Sequence, residues 1–214
     1  MTQEAQEPQR LQEPQQPQEA QQPQETQQPQ QPQETQQARA PWAPLVILIG
    51  PPGAGKSAVG PLVAARLGVE FRDTDAEVGA AAGKPVSDIF IENGEKAFRE
   101  LERAAVARAL DERGALREHG GVLALGSGAV LDHGVQQMLA GLPVVYLSAG
   151  FGTVARRIGL DRPRVVVPGN PRGRLRAMLD ERDGLYQRLA AVTVPTDDLD
   201  PDQLAEEIAA RITA

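Results

Sequence analysis

Residues 45–57 read Leu-Val-Ile-Leu-Ile-Gly-Pro-Pro-Gly-Ala-Gly-Lys-Ser. Five apolar residues run into a turn rich in glycine and proline, and a helical pattern begins at Lys56. A strand without a polar face belongs inside a sheet covered on both sides. The turn fits G-x-x-x-x-G-K-[ST] from Gly50 to Gly55, Lys56 and Ser57, in the strand-then-helix context that gives the motif meaning. Glycines let the backbone N–H groups of Gly53, Ala54, Gly55, Lys56, Ser57 and Ala58 turn inward around phosphate oxygens. The helix N-terminus adds partial positive charge. Lys56 can reach the β- and γ-phosphates of a nucleotide, and the Ser57 hydroxyl can ligate Mg²⁺.

The rest of the body alternates in the same way. Short apolar runs at 45–49, 69–71, 122–125, 143–147 and 191–194 read as buried strands. Helical patterns lie between them at 56–67, 75–82, 86–112 with a break at Asn93–Gly94, 132–140, 151–159, 171–189 and 201–213. Strand–helix alternation implies a parallel sheet with helices on both faces. In such sheets ligands bind beyond the carboxyl ends of the strands. One of those ends carries "RDTDAE", with Asp73 and Asp75 two residues apart. If the strand persists that far, both carboxylates face the crevice and Thr74 turns away. One acid can then serve the metal and the other a substrate hydroxyl. The alternative is a solvated turn in which Asp75 caps the next helix.

Residues 1–40 stand apart. Nearly half are Gln, Pro recurs throughout, and two Arg face six Glu. Such a segment has too little apolar surface to offset the entropy of ordering, so a disordered tail with polyproline stretches is expected. Its acidic balance does not suit a transit peptide. The whole chain carries a net charge of -7 with 3% aromatic residues, a poor match to nucleic-acid binding. It has no cysteine and no apolar run long enough to span a membrane.

Beyond the phosphate loop, the chain resembles the shikimate kinase family over residues 45–210. The resemblance rests on "GPPGAGKS", "DTD" at 73–75, "DIFIENGEKAFRELE" at 88–102, "LGSGAV" at 125–130, "RRIGLDRP" at 156–163 and "RDGLYQRLA" at 182–190, in that order. It implies an α/β fold of the P-loop kinase type: a five-stranded parallel sheet in order 2-3-1-4-5 within a kinase domain over 41–214. It also implies a substrate-binding insert at 75–103 and a lid at 157–170. The implied reaction is phosphorylation of the 3-hydroxyl of shikimate by ATP with Mg²⁺, by a cytoplasmic monomer. Asp73 and Ser57 match the metal side, and Asp75 the group that bonds the acceptor hydroxyl. Arg99 and Arg182 match the pair that holds the shikimate carboxylate. Gly126, Ser127 and Gly128 match the segment whose backbone lines the substrate. Arg157 matches the arginine beside the adenine, and Arg162 the lid arginine. Lys56, Asp75 and Arg162 are the expected catalytic groups.

The residues suit those roles. Arginine binds a carboxylate bidentately. Arg99 also has Glu102 three residues on, as a helix-surface partner, and Arg182 sits in a charged helical stretch. Phe90 and Phe98 suit either a core or a cleft wall. The chain departs from the family at Ser127, where a third glycine is usual, and at Arg164 in the lid. The loop "VPTDDLDP" keeps Pro201 but carries Asp197 and Asp198. Competing readings are a related small-molecule kinase and a nucleotide-binding regulator without transfer activity. Lys56 followed by Ser-Ala, and the absence of a His-Pro signature after the second strand, favour neither adenylate nor gluconate as acceptor.

Overall fold

A computed structural model describes residues 45–111, 120–161 and 169–213, with the backbone alone at Leu45. The Gln- and Pro-rich tail and the expected lid residues Arg162 and Arg164 lie outside the described residues. The strands are β1 (Leu45–Ile49), β2 (Phe71–Asp73), β3 (Gly121–Ala124), β4 (Val144–Ser148) and β5 (Val192–Pro195). The helices are α1 (Lys56–Leu67), α2 (Thr74–Ala82), α3 (Val86–Leu110), α4 (His133–Leu139), α5 (Phe151–Arg157), α6 (Pro171–Leu189) and α7 (Pro201–Thr213), with a 3₁₀ turn at Ala129–Leu131.

The strands form one sheet in the order β2-β3-β1-β4-β5, every neighbouring pair parallel. This is the order implied by the resemblance. Alternation along β1 splits the core between two faces. Val46 and Leu48 pack with Val122, Val145 and Leu147 under Val59 and Val63 of α1 and Leu204 and Ile208 of α7. Ile47 and Ile49 pack with Leu123, Val144 and Tyr146 against Val106 and Ala109 of α3, Leu139 of α4 and Tyr186 of α6. Each such aliphatic side chain contributes roughly 1.5–3 kcal/mol on burial, so the central strands hold the site rigidly.

The second strand differs from expectation in a way that matters. The apolar run places it at 69–71, and strand alternation of the two acids requires it to persist to Asp75, but it spans Phe71–Asp73. The start is displaced because α1 ends on Gly68 in the left-handed conformation, and the Val69 N–H is spent on the Ala64 carbonyl. The end is cut short because the Asp73 carboxylate caps α2. Strand alternation therefore does not set the two acids side by side. A helix cap does, and the capping residue is Asp73 rather than Asp75. The expected break in the long helical stretch is present, with Gly94 at φ 79° and ψ 167° between two helical segments of α3. Around it α2 and α3 build their own small cluster from Val78, Ile89, Phe98 and Ala105.

Candidate active site

The phosphate loop joins β1 to α1. Gly53 and Gly55 have φ of 74° and 101°, which only glycine adopts without strain, and these turns point the loop's N–H groups inward. Ala54 is fully buried in the core under α1, so it offers the site its backbone alone. Lys56 folds back over the loop, donating to the carbonyls of Gly50 at 2.8 Å and Pro51 at 3.1 Å. Burial pushes its pKa down to about 8, against the raising pull of Asp75, Asp73 and Glu102. A phosphate reaching this loop therefore meets an ammonium whose charge burial disfavours.

Asp73 divides its carboxylate between two tasks. Oδ1 accepts the N–H groups of Asp75 at 3.0 Å and Ala76 at 3.3 Å, holding the start of α2. Oδ2 accepts the Ser57 hydroxyl at 2.6 Å. A hydroxyl and a carboxylate joined at hydrogen-bond distance beside a phosphate loop are hard oxygen donors that fit Mg²⁺. Among the described residues there is no cluster of three or more Asp, Glu, His or Cys. Mg²⁺ shared with phosphates needs no such cage. Thr74 turns away from the crevice, as expected, and is fully buried. Its hydroxyl accepts the Gly126 N–H at 3.0 Å, which ties β2's end to the glycine turn after β3.

A cavity of about 370 Å³ is lined by Gly53, Gly55, Lys56, Ser57, Ala58, Asp73, Asp75 and Ser127. Asp75 is half-buried. Burial raises its pKa first and the neighbouring Asp73 adds to this, while Lys56 and Arg99 oppose.

Arg99 and Arg182 flank the adjoining turn. Arg99 donates to Glu102 Oε2 at 2.5 Å and to Glu95 Oε1 at 3.4 Å, and its guanidinium lies over the rings of Phe90 and Phe98 at 5.8 and 5.4 Å. The Glu102 pairing read from the sequence is thus real, but on a buried face rather than a solvated one, since Glu102 is 2% exposed. Phe98 is core and the half-buried Phe90 packs on it at 4.3 Å. Arg182 Nη1 approaches the Ser127 carbonyl at 3.5 Å, a long contact, and its buried Nε has no partner.

The glycine turn shows why its three positions are unequal. A Cβ at Gly126 would strike the carboxylates of Asp75 and Glu102, and one at Gly128 would strike the Arg99 guanidinium. Ser127 has no such neighbour problem. It lines the cavity, and no residue other than glycine has a positive φ among the described residues. The middle position therefore accepts a side chain while the outer two do not.

Arg157 is fixed between the phosphate loop and the loop after β5. It donates to the carbonyls of Gly53 at 3.2 Å and Ala54 at 3.4 Å, to Thr196 Oγ1 at 2.9 Å and to the Thr196 carbonyl at 2.6 Å. In that second loop, Asp197 accepts the Gly150 N–H at 3.1 Å. From the sequence, Glu102 is only a helix-surface partner of Arg99, Thr74 only turns away from the crevice, and Tyr186 has no role. All three lie within the motifs above, but a buried carboxylate at a helix i,i+3 spacing looks the same as a surface one. None of the described helices is long and apolar enough to cross a membrane.

The family profile described as shikimate kinase matches residues 52–213. The shikimate kinase of Thermobifida fusca is 52% identical over 171 residues, covering 80% of this chain and 96% of that protein. That of Saccharopolyspora erythraea is 47% identical over 173 residues, covering 80% and 95%. Among solved structures, the shikimate kinase from Acinetobacter baumannii in complex with shikimate superposes with a TM-score of 0.71 at 33% identity, covering 81% of this chain and 94% of that one. With the phosphate loop, the paired acids and the flanking arginines in one crevice, these matches settle the assignment: the chain belongs to the shikimate kinase family.

Proposed function

We propose that this chain transfers the γ-phosphoryl group of ATP to the 3-hydroxyl of shikimate, releasing shikimate 3-phosphate and ADP. One observation carries the reading most: two arginines from different helices flank the Gly126–Gly128 turn, beside a phosphate loop and a half-buried Asp75. That arrangement suits an acceptor with a carboxylate at one end and a hydroxyl at the other.

In this reading the loop N–H groups and Lys56 hold the triphosphate, and Arg157 braces the loop on the adenine side. Ser57 and Asp73 would hold Mg²⁺, which neutralises phosphate charge when bound. Arg99 and Arg182 grip the acceptor carboxylate. That grip turns the hydroxyl toward Asp75, which orients it and takes its proton. The raised proton affinity of Asp75 suits this role, because in a loose phosphoryl transfer the hydroxyl proton leaves late. Arg162 supplies the remaining cation from the lid, and lid closure excludes water that would otherwise accept the phosphoryl group. Every group named comes from one chain, so a monomer suffices, and the need for ATP suits a cytoplasmic location.

The test is coupled ADP release with Mg²⁺·ATP over a panel of polyols and hydroxy acids. Shikimate should give the highest kcat/KM. Turnover of gluconate or a nucleoside monophosphate in preference to shikimate would refute the assignment. Nucleotide binding without turnover of any acceptor would favour the regulatory reading.

A further inference from the structure

Tyr186 lies one turn after Arg182 on α6, so the two side chains share a helix face. It is 1% exposed, and its hydroxyl donates to the Ser127 carbonyl at 2.6 Å. Arg182 reaches that same carbonyl at only 3.5 Å and has no partner for its buried Nε. The long contact cannot hold the guanidinium in place. The short one can hold the helix that carries it. The Tyr186 ring stacks on Tyr146 at 5.1 Å, and the Tyr146 hydroxyl donates to Asp183 Oδ1 at 2.8 Å.

We propose that Tyr186 is a positioning residue for the acceptor carboxylate: its hydroxyl pins the Ser127 carbonyl to α6 and thereby sets Arg182 against the glycine turn. The assignment rests on the shikimate reading above. Two further features support it. The Ser127–Gly128 peptide is trans, so fixing its carbonyl also fixes the Gly128 N–H on the opposite side of the peptide plane. Gly128 in turn abuts the Arg99 guanidinium. One hydroxyl thus adjusts the turn relative to both arginines. Burial pushes the Tyr186 pKa up to about 12, so the hydroxyl stays a donor throughout the working pH range.

A buried tyrosine that merely satisfies its own hydroxyl would contribute stability and nothing else. The two roles separate in steady-state kinetics on Tyr186→Phe, with shikimate and with its analogue whose carboxyl is reduced to hydroxymethyl. Tyr146→Phe serves as the matched loss of a neighbouring buried hydroxyl. Tyr186→Phe should raise KM for shikimate about ten-fold, the usual scale for one lost buried hydrogen bond, with a smaller change in kcat. KM for ATP should stay within about two-fold. The penalty should vanish with the hydroxymethyl analogue, and Tyr146→Phe should not reproduce it.

An unchanged KM for shikimate, an equal penalty on both acceptors, or the same defect in Tyr146→Phe would each overturn the assignment. Should Tyr186→Phe fold poorly, calorimetric titration of shikimate into the variant below its melting temperature reads the same contrast. Wild-type protein that releases no ADP with shikimate would overturn the functional reading, and this assignment with it. Normal wild-type turnover with an unaffected variant would overturn this assignment alone.

Discussion

Arg99 Nη1 and Glu102 Oε2 meet at 2.5 Å on adjacent turns of α3, and the other oxygen of Glu102 has no partner although it is buried. Glu102 is a costly residue to keep. Burial raises its pKa, and only the Arg99 hydrogen bond and nearby Arg charges hold it toward the ionised state. What it supplies is direction for Arg99, which would otherwise lean on the exposed Glu95 alone. Glu102→Gln keeps the shape and one acceptor but removes the charge. It should raise KM for shikimate about ten-fold while leaving KM for ATP nearly unchanged. Parallel titrations of the two substrates check this. Equal losses for both would mean that Glu102 supports the whole crevice rather than Arg99.

Asp73 and Asp75 should separate cleanly. Asp73→Asn retains an oxygen for capping α2 but loses the charge beside Ser57, so the Mg²⁺ concentration needed for half-maximal rate should rise. Asp75→Asn should lower kcat by about 10²–10⁴-fold, the range of general-base contributions, and leave nucleotide binding close to normal. It should also affect stability. The folded-state pKa of Asp75 lies above its unfolded value, so the folded protein holds the extra proton and this group's contribution falls as pH rises. Ligand-free Asp75→Asn should therefore melt higher than wild type at pH 7. The difference should shrink as pH falls through the folded pKa toward the ordinary aspartate value. A lower melting temperature at pH 7 would show that attraction to Lys56 and Arg99 outweighs desolvation.

The contrast between these acids explains how much was legible in advance. The phosphate loop and the bounds of α1, α6 and α7 follow from local signals, a spaced glycine motif and helix periodicity, whereas the sheet order came only with the family resemblance. That Asp73 and Asp75 lie beside the phosphate loop was also legible, but the reason for their placement was not. Side-chain alternation on a strand and a carboxylate cap on a helix both bring residues 73 and 75 to one crevice, and only the hydrogen bonds to Asp75 N and Ala76 N decide between them. Long-range contacts were less accessible. Nothing local to Thr74 announces that its hydroxyl holds Gly126, 52 residues away, or that Tyr186 reaches Ser127 across 59. The first pair depends on the pairing of β2 with β3, and the second on how α6 packs against the sheet.

The unequal glycine turn gives a sharp mutational contrast. Gly126→Ala would push a methyl group into the Asp75 and Glu102 carboxylates, and Gly128→Ala into the Arg99 guanidinium. Overpacking costs typically ~1–3 kcal/mol. Each variant should weaken shikimate binding by roughly 5- to 150-fold on that scale. Gly128→Ala should act through Arg99 alone, so combining it with Arg99→Ala should add little further loss. Gly126→Ala should also depress kcat, because it displaces Asp75. Binding and turnover measured on the two single variants and the double variant test this. Fully additive losses for Gly128→Ala and Arg99→Ala would break the proposed link.

Lys56 should make nucleotide binding depend on pH. Its pKa of about 8 in the ligand-free pocket lies below the ordinary lysine value. Between about 8 and the ordinary value near 10.4, the unfolded chain holds a proton that the folded chain lacks, so this group's contribution to stability rises with pH across that window. Phosphates have the opposite effect on the lysine, because negative charge beside the ammonium favours the protonated form. ATP binding above pH 8 must then draw a proton onto Lys56, and affinity should fall as pH climbs from about 8 toward the pKa of the complex. Calorimetric titrations at pH 8.5, in buffers of different ionisation enthalpy, should show uptake on the order of one proton per ATP bound. Lys56→Arg supplies the control, since its guanidinium stays charged across the whole range and should show no uptake from this position. Equal uptake in wild type and Lys56→Arg would place the titrating group elsewhere in the crevice.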